Sequence, residues 1–245
     1  MAAYTLEITH LSKNFGEIEA VKDFNWAAKK GEVVALLGPN GAGKSTLMNM
    51  IAGYLKPSAG QIKVLGKDIE SYPLEAKENI GFLSEGAPLY PDLTVARFLS
   101  YMAELRGFSG YVKADLLHKV AAQAKIENVM GQRIETLSKG YVRRVGFAQS
   151  ILSNPPILLL DEPTDGLDPN QKVHIRQMIA EMGKDKTIVI STHLLEEAET
   201  VCNRIVMINK GRIVADGTLN AVLKKCKAAS LEEAFRKLTS MQEEV

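Results

Sequence analysis

The chain has 245 residues and 46% of them are hydrophobic, enough to bury a sizeable core and too many for a disordered chain. Thirty basic against 29 acidic side chains leave a formal net charge of +1, so there is no global basic footprint for a nucleic acid. No apolar run approaches the ~18–20 residues of a membrane-spanning helix, so the chain is not expected to cross a bilayer alone, although a membrane partner stays open.

Residues 4–9 alternate and read as a strand, as do 21–28. The segment 1–15 carries Glu7 and alternates polar with apolar, unlike a signal peptide. Residues 32–37 form a mostly apolar strand of the kind buried on both faces. Gly38-Pro39-Asn40-Gly41-Ala42-Gly43-Lys44-Ser45-Thr46 follows, and then a helical stretch to residue 52 with Gly53 as a stop. Gly, four residues, Gly, Lys, Ser between a strand and a helix is the phosphate-binding P-loop. Glycines let the backbone wrap so that amides converge on one anion, and the helix beginning at Lys44 adds open N–H groups and the positive end of its dipole. Lys44 is placed to reach the outer phosphates and Ser45 to bind Mg²⁺, so the chain binds a nucleoside triphosphate.

A turn at 57–60 and strands at 61–65 and 80–83 come next. The texture then changes to helices at 95–106, 111–125 and 138–152 without a convincing strand, which reads as a helical insertion, about 86–155, in an α/β core. Strand and helix then alternate: strand 157–160, helix 171–182, strand 187–191, helix 194–201, strand 205–209. Lys210-Gly211 reads as a hairpin turn into 213–215, and 230–238 as a last amphipathic helix. This order predicts a mainly parallel sheet covered on both faces, with the antiparallel pieces at each end making an added β subdomain. Cys202 and Cys226 have no metal-ligand spacing and read as reduced thiols of a cytosolic protein.

Ile157-Leu158-Leu159-Leu160-Asp161-Glu162 puts two carboxylates at the carboxyl end of a buried strand, where ligands bind in open α/β sheets. Alone, such a pair is also what a solvated strand end looks like. Downstream of a P-loop, Asp161 suits Mg²⁺ opposite Ser45, and Glu162 suits the polarisation of a water for in-line attack.

Leu137-Ser138-Lys139-Gly140-Tyr141 resembles the signature motif of ATP-binding cassette (ABC) proteins, Asp165-Gly166-Leu167-Asp168 their D-loop, and Ser191-Thr192-His193 their switch histidine. With the P-loop and the acidic strand, five motifs stand in the family's order, and the resemblance covers nearly the whole chain. The chain resembles the ATPase subunit of an ABC transporter. The stretch 83–90 with 93–95, and the tail 230–239, are similar to the type-2 exporter branch.

The resemblance implies a P-loop NTPase core of α/β class with an added antiparallel β subdomain and an inserted helical subdomain. It implies a nucleotide-binding domain over 1–229 and a short C-terminal helix and tail over 230–245. It implies two ATPase subunits, copies or paralogues, clamped head to tail around MgATP on the cytoplasmic face of a membrane. A transmembrane permease would be the partner and no nucleic acid would be bound. Ser138 and Gly140 at the start of the third helix would cradle phosphate in trans, although Ser138 also reads as an ordinary N-cap. His193 would bond the γ-phosphate, although a His between strand and helix is usually a cap. Phe15 falls where the family stacks a ring on adenine, with a core Phe as the alternative. Glu85 stands where the family's lid loop usually offers Gln; its carboxylate can ligate Mg²⁺ or its water but adds negative charge beside the phosphates. Lys139 and Tyr141 also depart from the usual Gly and Gln of the signature.

Overall fold

The computed structural model describes residues 4–86 and 89–240. Ala87 and Pro88 of the exporter-like stretch, residues 1–3 and the end of the tail, 241–245, lie outside the described residues.

Two sheets organise the chain. The smaller is antiparallel: β1 (Tyr4–Phe15), β2 (Ile18–Lys29), β4 (Ala59–Val64) and β5 (Lys67–Asp68), in the order β2-β1-β4-β5. The larger has six strands in the order β10-β9-β3-β8-β7-β6: β3 (Val33–Leu37), β6 (Ile80–Leu83), β7 (Ile157–Asp161), β8 (Thr187–Ser191), β9 (Arg204–Asn209) and β10 (Arg212–Gly217). Its neighbours run parallel except at β9-β10. The antiparallel pieces expected at both ends therefore part company. The N-terminal ones build the separate sheet, while β10 joins the edge of the main one. The reason is local: the hairpin at Lys210 (φ 47) and Gly211 (φ 79) has the two successive left-handed residues of a tight turn, which pairs β10 directly with β9.

Strands β3, β7 and β8 are buried at every residue, and their period-two alternation divides the core. Val34, Leu36, Leu159 and Val189 face the small sheet and α1 (Lys44–Ile51). Leu158, Leu160, Ile188 and Ile190 face the helices α3 (Val95–Leu105), α4 (Gly110–Ala124), α5 (Lys139–Ile151) and α6 (Pro169–Met182). Ala35, Leu37, Ile205 and Met207 pack with α7 (Leu195–Val201), α8 (Leu219–Cys226) and α9 (Leu231–Ser240). A strand walled on both faces needs apolar residues at every position, which is why these read as continuous runs. The short α2 (Pro73–Glu78), α8 and β5 were not anticipated from the sequence.

Register brings the functional ends together. Leu36 pairs with Ser191, and Ser191 with Asp161, so β3, β8 and β7 finish on one edge of the sheet. No helix among the described residues is long and apolar enough to cross a membrane.

Candidate functional site

The loop 38–43 leaves β3 and enters α1 through Gly43, whose φ of 102° is left-handed. Gly43 offers the first turn of α1 no side-chain cap, whereas Thr94, Ser138, Asp168 and Thr218 cap α3, α5, α6 and α8 by accepting backbone amides. α2, α4 and α7 also lack a side-chain cap; at α1 it is the glycine-rich loop leading in that lets the first amides converge on an anion, which the helix dipole also favours. The loop is held from outside: Gly211 N donates to the carbonyl of Ala42 at 3.0 Å. Lys44 lies back over the loop, its Nζ donating to the carbonyls of Gly38 at 2.6 Å and Pro39 at 3.0 Å. Burial lowers the Lys44 ammonium below its usual range, against the pull of Glu162, Asp161 and Glu85. An ammonium facing three carboxylates across a gap suits a polyphosphate carrying a divalent cation.

A cavity of about 430 Å³ opens here, lined by Phe15, Ala20, Asn40, Gly41, Gly43, Lys44, Ser45, Thr46 and Glu85. Phe15 ends β1 and is 48% exposed, so it is not a core residue; Lys13 Nζ sits 5.2 Å from its ring centroid. Pro39 and Ala42 face the opposite side of the loop, and Gly38 is buried.

A second cavity of about 360 Å³ adjoins the first, sharing Asn40 and Glu85 and adding Gly86, Arg143, Glu162, Asp165 and His193. Asp161 is buried at the end of β7, and burial raises its carboxyl above the usual range, with Glu85 and Glu162 adding to the rise and Arg143 opposing it. A cation placed there would reverse that rise. Glu162 follows in the left-handed region at φ 52°. Its Oε1 accepts from His193 N at 3.1 Å and lies 2.8 Å from His193 Nδ1, and its Oε2 accepts from Thr192 Oγ1 at 3.3 Å. His193 is 62% exposed against 17% for the Glu162 side chain, and both line the cavity.

Asp161, Glu162, His193, Lys44, Ser45 and Glu85 are thus brought to one edge of the main sheet. Ser138 and Gly140 are not: they line neither cavity and stand at the first turn of α5. Ser138 Oγ accepts from Tyr141 N at 3.4 Å, which makes it the cap that its residue type suggests, while its O–H remains available to donate. Lys139 Nζ pairs with Asp165 at 2.8 Å. No group of three or more His, Cys, Asp or Glu among the described residues forms a metal cluster.

Two contributions escaped sequence reading. Arg143, 5% exposed on α5, donates to the carbonyls of Ser84, Asp161 and Glu162. Glu197, buried on α7, accepts from Thr164 Oγ1 and from Thr192 Oγ1, the latter at 2.9 Å. An Arg pair in a helix and a Glu among Glu residues carry no local sign of burial; only position beside the signature motif singles out Arg143.

The profile of the ABC transporter family matches residues 21–165, more than half of the chain. The chain belongs to that family. Its fold and sequence are those of the family's ATP-binding proteins. The probable multidrug ABC transporter ATP-binding protein YbhF of Escherichia coli is 35% identical over 217 residues, which are 87% of this chain and 37% of that protein. The chain therefore spans little more than a third of that relative. The Nod factor export ATP-binding protein I of Burkholderia orbicola is 34% identical over 227 residues, 91% of this chain and 74% of the relative. Among solved structures, a dimeric post-hydrolysis state of the ATP-binding cassette MJ0796 with ADP and Pi superposes with a TM-score of 0.81 at 27% identity, covering 87% of this chain and 98% of that one.

Proposed function

We propose that this ABC protein binds and hydrolyses MgATP at the interface of a head-to-tail dimer, and that closure and reopening of the dimer drive transport, as export, through a transmembrane permease. The observation that carries the reading is the adjacency of the two cavities: the P-loop cavity suits the nucleotide, and the one holding Glu162 and His193 suits the end of its phosphate chain. Residues 1–229 form the nucleotide-binding domain, with 86–155 as its helical arm and 230–245 as a C-terminal appendage.

Each residue has a definite task. Phe15 stacks on the adenine. Gly38, Pro39, Asn40, Gly41, Ala42, Gly43 and Thr46 shape and terminate the anion cradle, and Lys44 exchanges its loop carbonyls for the outer phosphate oxygens. Mg²⁺, held by the Ser45 hydroxyl and Asp161 with Glu85 in reach, would offset phosphate charge. Glu162 accepts a proton from the water that attacks the γ-phosphorus in line, and ADP leaves. The 2.8 Å contact between His193 Nδ1 and Glu162 orients the ring, and Nε2 donates to the γ-phosphate in the imidazolium form, in which both ring nitrogens carry protons. Ser138 and Gly140 cradle the phosphates bound to the other copy, which their position outside both cavities supports. The second chain is a copy or paralogue, no nucleic acid takes part, and the protein works at the cytoplasmic face of the membrane as a peripheral subunit. The name of the Nod factor export relative supports the direction of transport.

The test is turnover of the purified chain. Glu162→Gln is expected to bind ATP and lose ~10²–10⁴ in rate, the usual loss for a missing general base; near-normal turnover refutes the assignment. In that slow background ATP should hold dimers in sedimentation, and Ser138→Arg should abolish them. Dimers that persist refute action in trans.

A further inference from the structure

Arg143 lies five residues beyond Ser138 on α5, about 7.5 Å along the helix axis. Nη1 donates to the carbonyl of Ser84 at 2.8 Å, and Nη2 donates to the carbonyls of Asp161 and Glu162. These acceptors sit at two strand ends. Ser84 follows β6 and precedes Glu85; Asp161 ends β7. A rigid planar fork spreads its donors over acceptors on two separate strand ends, where a lysine ammonium offers only a single compact point of donation.

The turn at Glu162 needs such help. Its left-handed φ of 52° is unfavourable for a residue with a Cβ and persists only where the surroundings over-determine it. Three contacts do so: Glu162 N donates to Ser191 O at 2.8 Å, Asp165 N donates to the Glu162 carbonyl at 3.1 Å, and Arg143 donates to that same carbonyl. From Arg143 onward the helix is tightly seated. Gly140 and most of the residues from Arg143 to Ile151 are buried, and a Cβ at Gly81 on β6 would lie 2.0 Å from the Ser150 carbonyl of α5. Little more than one helical turn separates Ser138 from Arg143, so the path from the first turn of α5 to the Glu162 turn is short. The other link, Lys139 to Asp165, is 72% and 50% exposed and thus screened by solvent.

We infer that Arg143 is a positioning residue. It fixes the turn that carries Glu162 and the start of the loop that carries Glu85, and it ties the hydrolytic carboxylate of one site to whatever engages the first turn of α5. The inference rests on the proposed roles of Glu162 in hydrolysis and of Ser138 in trans.

Steady-state ATP hydrolysis by the full chain tests it. Arg143→Met should lower kcat by at least about tenfold, towards the ~10² that a misplacement near 1 Å costs. KM for ATP should stay within about threefold, because the P-loop is untouched. Arg143→Lys, which keeps the charge and one point of donation, should recover part of the loss and guards against a Met variant that folds poorly. Added to Glu162→Gln, Arg143→Met should cost no more than about twofold further, since misplacing a disabled group changes little. Multiplicative losses in the double variant, or losses in kcat and ATP binding together, overturn the inference in favour of a purely structural role. Normal turnover in Arg143→Met beside a slow Glu162→Gln overturns this inference alone. Near-normal turnover in Glu162→Gln itself overturns both this inference and the function on which it rests.

Discussion

Gly43 and Gly41 separate two ways in which a P-loop depends on glycine. Both have positive φ, 102° and 78°. A Cβ at Gly41 meets nothing within 4 Å, whereas one at Gly43 lies 2.4 Å from the carbonyl oxygen of Ala20 on β2 and 3.4 Å from Val21 Cγ2. Gly41→Ala therefore carries only backbone strain, roughly 1–2 kcal/mol. Gly43→Ala carries that strain plus an overlap with backbone that cannot rotate away, of the overpacking kind worth ~1–3 kcal/mol, for about 2–5 kcal/mol in all. In a chain of this size 1 kcal/mol moves Tm by ~2–4 °C. The expected falls are roughly 2–8 °C for Gly41→Ala and roughly 4–20 °C for Gly43→Ala, read by calorimetry without nucleotide. Equal melting temperatures for the two variants would refute the claim that β2 closes on the loop at Gly43.

Asp161 makes stability depend on pH. Its carboxyl is raised by burial, so the folded chain holds that proton more tightly than the unfolded chain does. Without metal, the contribution of this group is best below the ordinary carboxylate pKa near 3.8 and is lost as pH rises through the raised folded value. Melting of Asp161→Asn in the absence of metal should lack that part of the decline; an unchanged pH profile would count against the burial argument. Cys202 gives a chemical readout. Although part of the residue reaches the surface, its thiol is pushed up to about 12, chiefly by burial and secondarily by Glu197. Since the thiolate is the reactive form, an alkylating reagent at pH 8 should modify Cys226 and spare Cys202 until the chain unfolds. Modification of both at similar rates, by mass spectrometry, would contradict this.

The residues that make contacts through backbone geometry were the legible ones. Residues 38–46 and 157–162 declare themselves because a buried parallel strand must be apolar at each position and a P-loop must have glycine at set places. The same reasoning failed for short elements. In α2 only Ala76 is buried, too few for a helical period, and β5 has two residues. In α8, Thr218 as cap and Val222 as the buried residue were readable signals, obscured by Lys224 and Lys225. Placing 213–215 with the N-terminal strands overlooked that a two-residue hairpin binds a strand to its immediate predecessor. Arg143 was out of reach, because its partners lie 18, 19 and 59 residues away and are backbone carbonyls, which no side-chain pattern records.

The uncapped start of α1 has a thermodynamic consequence. A helix whose first amides have no side-chain acceptor gains fixed partners when an anion arrives, so the ligand acts as the last structural member of the fold. Binding to the folded chain alone then adds RT ln(1 + [L]/Kd), about 2.7 kcal/mol at a hundredfold excess over Kd. A substitution that supplied its own acceptor at Gly43 would finish the helix prematurely and compete with the phosphates for the same amides. In this loop, resting stability and affinity draw on one set of N–H groups, and gain in the first is loss in the second.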